Sequence, residues 1–308
     1  MSVPAKASTI MTTTIDNNNN DNIPGWIKVW LGLFYSIPKL ISIPGTKLDI
    51  TFTVVCSFAL FAVKTLFQRL LEHSFGWPLH STLTWDAAAS MTGIFHSMNL
   101  LPPLWLLLRS QPYQPSGPLH TAPQWWQDAS QALIQFTTGY MIYDMTVNIF
   151  LLRWDKTEGL LLSSADYLYI GHHIATTFYM ISTRLFQAGH ISAMCCMFLG
   201  ELTNPLFNSH LILQLVKEVP NVTWTIPGLE LCCAILFVLI RAVVSPWIFL
   251  HMTFDLLQSN SKIPLWIRFL WIAMIWGVVL GSLPWVHDFN AVIQQAMGYT
   301  TTITKEDL

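Results

Sequence analysis

The residues of this chain that could do chemistry sit where they are expensive to keep. In DYLYIGHHIATTFYM, Asp166 to Met180, His172 and His173 stand side by side within a mostly apolar segment. Taken alone, such a pair allows a metal site, a proton relay or plain packing. An ionisable group at membrane depth costs about 3 kcal/mol at a helix centre, so it marks a functional site by default. Few other residues share this position: His96, Tyr140, Asp144, Asn148, Glu201, Asn204, Asn208 and Arg241. Spacing groups them. Tyr140, Asp144 and Asn148 recur every four residues and share one helix face, and Glu201, Asn204 and Asn208 share another. Tyr169, the histidine pair and Thr176 form a third polar stripe. Three such faces can point into one bundle interior, whereas lipid would leave each group unpaired.

Structural readings stand beside the functional ones. His96 is expected to make an interhelical hydrogen bond. Asp144 could pair with Arg241 or a histidine, and Glu201, Asn204 and Asn208 could act as polar glue between helices. Adjacent helical positions point about 100° apart. One of the two histidines is therefore expected to face the polar interior and the other to be a satisfied core residue.

The rest of the sequence says what must position these groups. Of 308 residues, 53% are hydrophobic and 10% charged, with 14 Trp and 18 Phe. An ordinary soluble domain carries roughly 25% charged residues. These charges are too few to coat a soluble surface, and a net charge of −2 gives no nucleic-acid footprint. The chain reads as an all-α, polytopic membrane bundle. Cys56, Cys195, Cys196, Cys232 and Cys233 form no C-x-x-C pair and read as packing residues, and no metal site is expected.

A membrane helix needs about 20 mostly apolar residues. Seven segments qualify: Ile50 to Leu66, Trp85 to Leu108, Gln131 to Leu152, Tyr167 to Leu185, Ile191 to Val216, Leu229 to Leu250 and Pro264 to Trp285. The fifth is interrupted by GELTNPLFNSH, where Pro205 disturbs the carbonyl of Glu201 four residues earlier. Trp26 to Pro44 is a further apolar piece, broken by Pro38 and Pro44, and reads as interfacial or re-entrant, with an eighth span as the alternative. The domain plan is a polar tail over 1–24, that segment over 25–47, the bundle over 48–285 and a C-terminal tail over 286–308. The proline-rich loop from Arg109 to Ser130 places Trp125 and Trp126 at a membrane–water interface, and NVT at Asn221 is a glycosylation sequon.

Three motifs in order, GYMIYD (Gly139 to Asp144), DYLYIGHHIATTFYM and GELTNPLFNSHLIL (Gly200 to Leu213), resemble the TLC domain family, which includes the ceramide synthases. With little beyond the bundle, the chain is similar to the TLC-domain-only branch. The resemblance spans roughly Leu48 to Leu283 and implies an endoplasmic-reticulum or other endomembrane protein whose partners are membrane lipids, or a second copy of itself. It departs from ceramide synthases in one respect. The His-Asp pair that follows their double histidine is absent, and Glu201 and Asn204 stand where acidic partners would be.

Two functions follow from the resemblance. One is a protein of lipid metabolism or lipid homeostasis whose polar residues shape a headgroup pocket; the missing His-Asp pair favours it. The other is a lipid acyltransferase with acyl-CoA as co-substrate. There His172 or His173 would be base or nucleophile, since imidazole titrates near working pH. Asp144 or Glu201 would orient it. Tyr140, Asn148, Tyr169, Asn204, Asn208 and Arg241 would bind substrate, with Arg241 meeting an anionic group. A di-iron lipid hydroxylase needs about eight histidines in three clusters. This chain has 10 in all and one adjacent pair.

Overall fold

The computed structural model describes residues 23–46, 48–155, 157–219, 228–258 and 263–298. Most of the expected N-terminal tail and the sequon at Asn221 lie outside them. The elements in order are α1 Gly25–Ser36, α2 Thr51–Ser74, α3 Thr82–Ser110 and α4 Gln124–Met145, which continues into a π turn over Thr146–Leu151. A small antiparallel hairpin, β1 Trp154–Asp155 with β2 Gly159–Leu160, leads to α5 Ser164–Phe186. Then come α6 His190–Glu201, α7 Asn204–Val216, α8 Leu229–Val238, a second π turn Leu239–Val244, α9 Ser245–Gln258, α10 Leu265–Gly281 and α11 Leu283–Ala296.

Helices occupy every segment that the hydropathy pattern selects, but helices and spans are not the same count. Among the described residues, three are long and apolar enough to cross a membrane: Thr51–Ser74, the continuous rod Leu229–Gln258, and Leu265–Ala296. Helices α3, α4 and α5 have the length, at 29, 22 and 23 residues. Their inward faces carry the polar residues of the candidate site, which lowers their mean hydropathy. The expected fifth span is two helices, α6 and α7, because Pro205 sits in the first turn of α7. Large apolar side chains such as Phe58, Met98, Phe178, Trp247 and Phe269 face outward around the bundle. Apolar helices with an apolar exterior make this an integral membrane protein.

Two local expectations change. Helix α4 starts at Gln124, so the Trp pair is helical, and Trp126 is buried with its indole N–H donating to the Leu107 carbonyl at 3.1 Å. That bond closes a carbonyl near the end of α3 and holds the ring inside the bundle. The chain also does not become a tail at residue 286. Helix α11 runs to Ala296, and its buried Phe289 packs on Phe237 of α8 with ring centroids 4.7 Å apart. Helix α1 has 12 residues, about 18 Å at 1.5 Å per residue, short of a hydrocarbon core of about 30 Å.

Helix α4 is the hub that positions the site. It packs against α1, α2, α3 and α5. Its tightest approach is to α2: a Cβ added at Gly139 would lie 2.7 Å from the Thr53 carbonyl oxygen. At the other end of α5, Arg184 is buried and ties three segments together. Its Nε donates to Gln131 Oε1 at 2.8 Å and its Nη2 to the Asp49 carbonyl at 2.6 Å. The Gly139→Ala protein is expected to lose about 1–3 kcal/mol of stability through overpacking against backbone. Gly277→Ala, where an added methyl meets open space, is expected to be neutral or better. Thermal unfolding in detergent compares the two, and equal stability of both variants contradicts the close approach.

Candidate functional site

The polar stripes of α4 and α5 meet at Asp144. Its Oδ1 accepts from Asn148 Nδ2 at 2.8 Å, and its Oδ2 accepts from the Tyr169 hydroxyl and lies 3.0 Å from His173 Nε2. Asn148 Nδ2 also donates to the Tyr169 hydroxyl oxygen at 3.0 Å. His173 is engaged at both nitrogens, because Nδ1 lies 2.9 Å from the Tyr169 carbonyl oxygen. A carbonyl can only accept, so Nδ1 carries hydrogen.

Glu201 anchors a second cluster. Its Oε2 accepts from Ser97 Oγ on α3 and from Asn204 Nδ2 at 3.0 Å. His96 is fully buried and stacks on Tyr140, with ring centroids 3.9 Å apart and planes 8° from parallel. Its Nδ1 is 3.4 Å from Glu201 Oε2, and neither ring nitrogen completes a hydrogen bond. The expected interhelical hydrogen bond of His96 is thus a stacking contact beside a carboxylate. Arg241 donates through Nη2 to the Gly200 carbonyl at 3.1 Å. Asp144 therefore pairs with a histidine and not with Arg241.

Backbone irregularities aim several of these groups. Asn148 sits in the π turn after α4 and Arg241 in the π turn between α8 and α9. A π turn inserts an extra residue and re-aims the side chains around it, which is why such turns gather at functional sites. The α6–α7 break leaves Glu201 at the last turn of α6 and Asn204 at the first of α7, close enough to bond. Upstream, a capping box at Ser163 and Asp166 starts α5 and fixes the rotation of the helix that carries both histidines.

A chamber of about 500 Å³ lies between these elements, within the range of small-molecule sites. Its wall includes all ten of the residues singled out from sequence as catalytic or substrate-binding, from Tyr140 to Arg241. Both histidines belong to it. The 100° between them does not send one into a separate core, because the chamber is wide enough to subtend both. His172 differs from its neighbour in making no hydrogen bond to any described residue. It touches His173 edge-on, with ring centroids 5.5 Å apart. It also lines a narrow slot of about 70 Å³, walled largely by apolar side chains including Met180, Met197, Phe249 and Ile275. Among the described residues, no group of three or more His, Cys, Asp or Glu comes together as a metal site.

The family model described as the TLC domain matches residues 86–290, more than half of the chain. The chain belongs to the TLC domain family. Comparison with curated proteins found no match, and comparison with solved structures found none either. Every residue of the two clusters lies inside the matched TLC domain, whereas α1 and α2, which brace α4 from outside, precede it.

The wall also holds groups that sequence reasoning passed over. Asp86, Arg153 and Asp166 stand on it, Arg153 Nε donating to Asp166 Oδ1 at 3.2 Å, and Ser97 supports Glu201 from behind the wall. Ser97 follows directly on His96, and that adjacency is the one signal that could have flagged it. A double-mutant cycle on Asp144→Ala and His173→Ala is expected to give a coupling energy of about 1–3 kcal/mol, because each single change strands its partner in a buried site. Equilibrium unfolding in mixed micelles measures it; strictly additive effects contradict the pairing.

Proposed function

We propose that this TLC domain protein is a lipid acyltransferase of the endoplasmic reticulum or a related endomembrane. In this reading His172 is the reacting imidazole, and the Asp144–His173–Tyr169 cluster is the rigid, charge-bearing wall beside it. One observation supports the reading most. His172 is the histidine without a hydrogen bond, and it lies on the wall common to the polar chamber and the apolar slot. A general base needs a nitrogen open to the proton it takes. His173 has both nitrogens engaged, so His172 is the group available to substrate.

The reaction we infer balances with an acyl-CoA donor. His172 takes the proton of an acceptor amine or hydroxyl as the new acyl bond forms and the acyl–sulfur bond breaks. The imidazolium then returns that proton to the departing thiolate. Asp144 keeps His173 in place, and Glu201, which lines the same two cavities as His172, sets a negative charge near the imidazolium as it forms. The apolar slot next to His172 has room for the first few carbons of an acyl chain, and the chamber suits the acceptor head group.

A second reading is a lipid-binding protein of membrane homeostasis that turns nothing over. The tight mutual engagement of Asp144, Asn148, Tyr169 and His173 favours it, since these groups are already satisfied without substrate. The two readings part on one experiment. Purified protein in nanodiscs, given acyl-CoA and mixed membrane lipids, is expected to release free thiol. His172→Ala should slow that release roughly 10²–10⁴-fold, the usual worth of a general base. Wild-type protein that releases no thiol, with an unchanged cellular lipid profile on expression of His172→Ala, removes the catalytic reading and leaves the second.

A further inference from the structure

The charges of the chamber are unevenly neutralised, and the imbalance is concentrated at Arg241. Asp144 has both oxygens engaged by donors of the wall. Glu201 commits Oε2 to Ser97 and Asn204. Asp166 is held by Ser163 and Arg153. Arg241 has no such satisfaction. It forms no ion pair with any described carboxylate, and its one hydrogen bond goes to the neutral carbonyl of Gly200. Its Nε is buried without a partner, and its other neighbour is the face of Phe237, 5.7 Å from Cζ. A guanidinium is always charged and presents five N–H donors. Burying it beside a carbonyl and an aromatic ring leaves most of that capacity unused.

The location sharpens the argument. Arg241 lines both the polar chamber and the apolar slot, and so do Glu201 and His172, the latter making no hydrogen bond to any described residue. The unmet capacity at this junction is therefore that of a buried cation with an imidazole beside it, which Glu201 on the same wall does not engage as an ion pair. What completes it is an anion with several acceptor oxygens, attached to an apolar chain that can enter the slot.

We propose that the junction at Arg241 and His172 binds the anionic group, phosphate or carboxylate, of a single lipid whose chain begins at the slot, which at about 70 Å³ takes its first few carbons. This rests on the reading of the chamber as a lipid site and specifies which lipids it takes: anionic ones, in preference to neutral alcohols or cationic amines of the same chain length. Arg241 binds the group in a forked, two-point contact, and the low local dielectric strengthens it.

The test is retention of defined lipids by the full-length protein in phosphatidylcholine nanodiscs, read by native mass spectrometry. The probes are oleate, dioleoyl phosphatidic acid, oleyl alcohol, sphingosine and inorganic phosphate. Oleate or phosphatidic acid should be retained at least roughly tenfold better than oleyl alcohol or sphingosine, and Arg241→Gln should remove that margin. Arg241→Lys should recover part of it, since the charge returns without the fork. Should Arg241→Gln fail to fold, Ser245→Asp serves. It places a carboxylate one turn further along on the slot wall, expected to neutralise Arg241 from within and abolish retention of the anions. The stronger of the oleate and phosphatidic acid arms says which anion is preferred. Equal retention of oleyl alcohol or sphingosine, binding of inorganic phosphate without lipid, or full retention by both variants overturns the proposal. Anion retention without thiol release would end the acyltransferase reading and leave this inference standing. Thiol release with retention indifferent to Arg241 would do the reverse, and retention of no lipid would sink the shared reading of the chamber.

Discussion

A carboxylate and an imidazole held 3.0 Å apart inside an apolar bundle fix much of the rest. Neither Asp144 nor His173 is tolerable there alone. Removing one partner of a buried pair typically costs 3–5 kcal/mol, because the other is left charged and undersolvated. The pair therefore dictates that α4 and α5 lie side by side in one register. Tyr169 and Asn148 follow from it, since Asp144 has more acceptor capacity than one imidazole can fill. The same constraint makes His173 immobile, and an immobile His173 leaves its neighbour His172 as the free group on the chamber wall.

The irregular backbone serves the same end. A regular helix returns a side chain to one face every 3.6 residues, and that period alone does not satisfy every group around this chamber. The π turns at Asn148 and Arg241 and the break before Pro205 each shift the phase of a helix locally, so that groups from α3, α4, α5, α6, α7 and the α8–α9 rod address a common volume. Freed backbone carbonyls of such sites need donors, and Arg241 supplies one to Gly200.

Much of the site is legible in the sequence for a physical reason. Ionisable and amide side chains are rare in apolar helices, so Asp144, His172, His173, Glu201, Asn204 and Arg241 stand out against their surroundings. Ser97 does not, because serine is common in any helix, and Asp86 reads as an ordinary residue of a helix start. The π turns leave no trace either, since the extra residue looks like any other. Beyond Trp285 the sequence of α11 reads as tail because VHDFNAVIQQ is polar overall. Its apolar positions form one narrow stripe, and only α8 packed against it reveals what that stripe is for. Span number is harder than helix number for the opposite reason: the polar faces that α3, α4 and α5 turn to the chamber erase their hydropathy signal.

The close approach of Gly139 to Thr53 bears on where the folding unit begins. Family membership is written in residues 86–290, yet the backbone on which α4 rests belongs to α2, and the carbonyl that Arg184 grips belongs to Asp49. A chain trimmed to the matched region would expose the small-residue face of α4 and strand a buried guanidinium. The boundary drawn by likeness to a family and the boundary drawn by mechanical integrity are different here, and α1 and α2, which precede the match, act as the outer brace of a site they do not line.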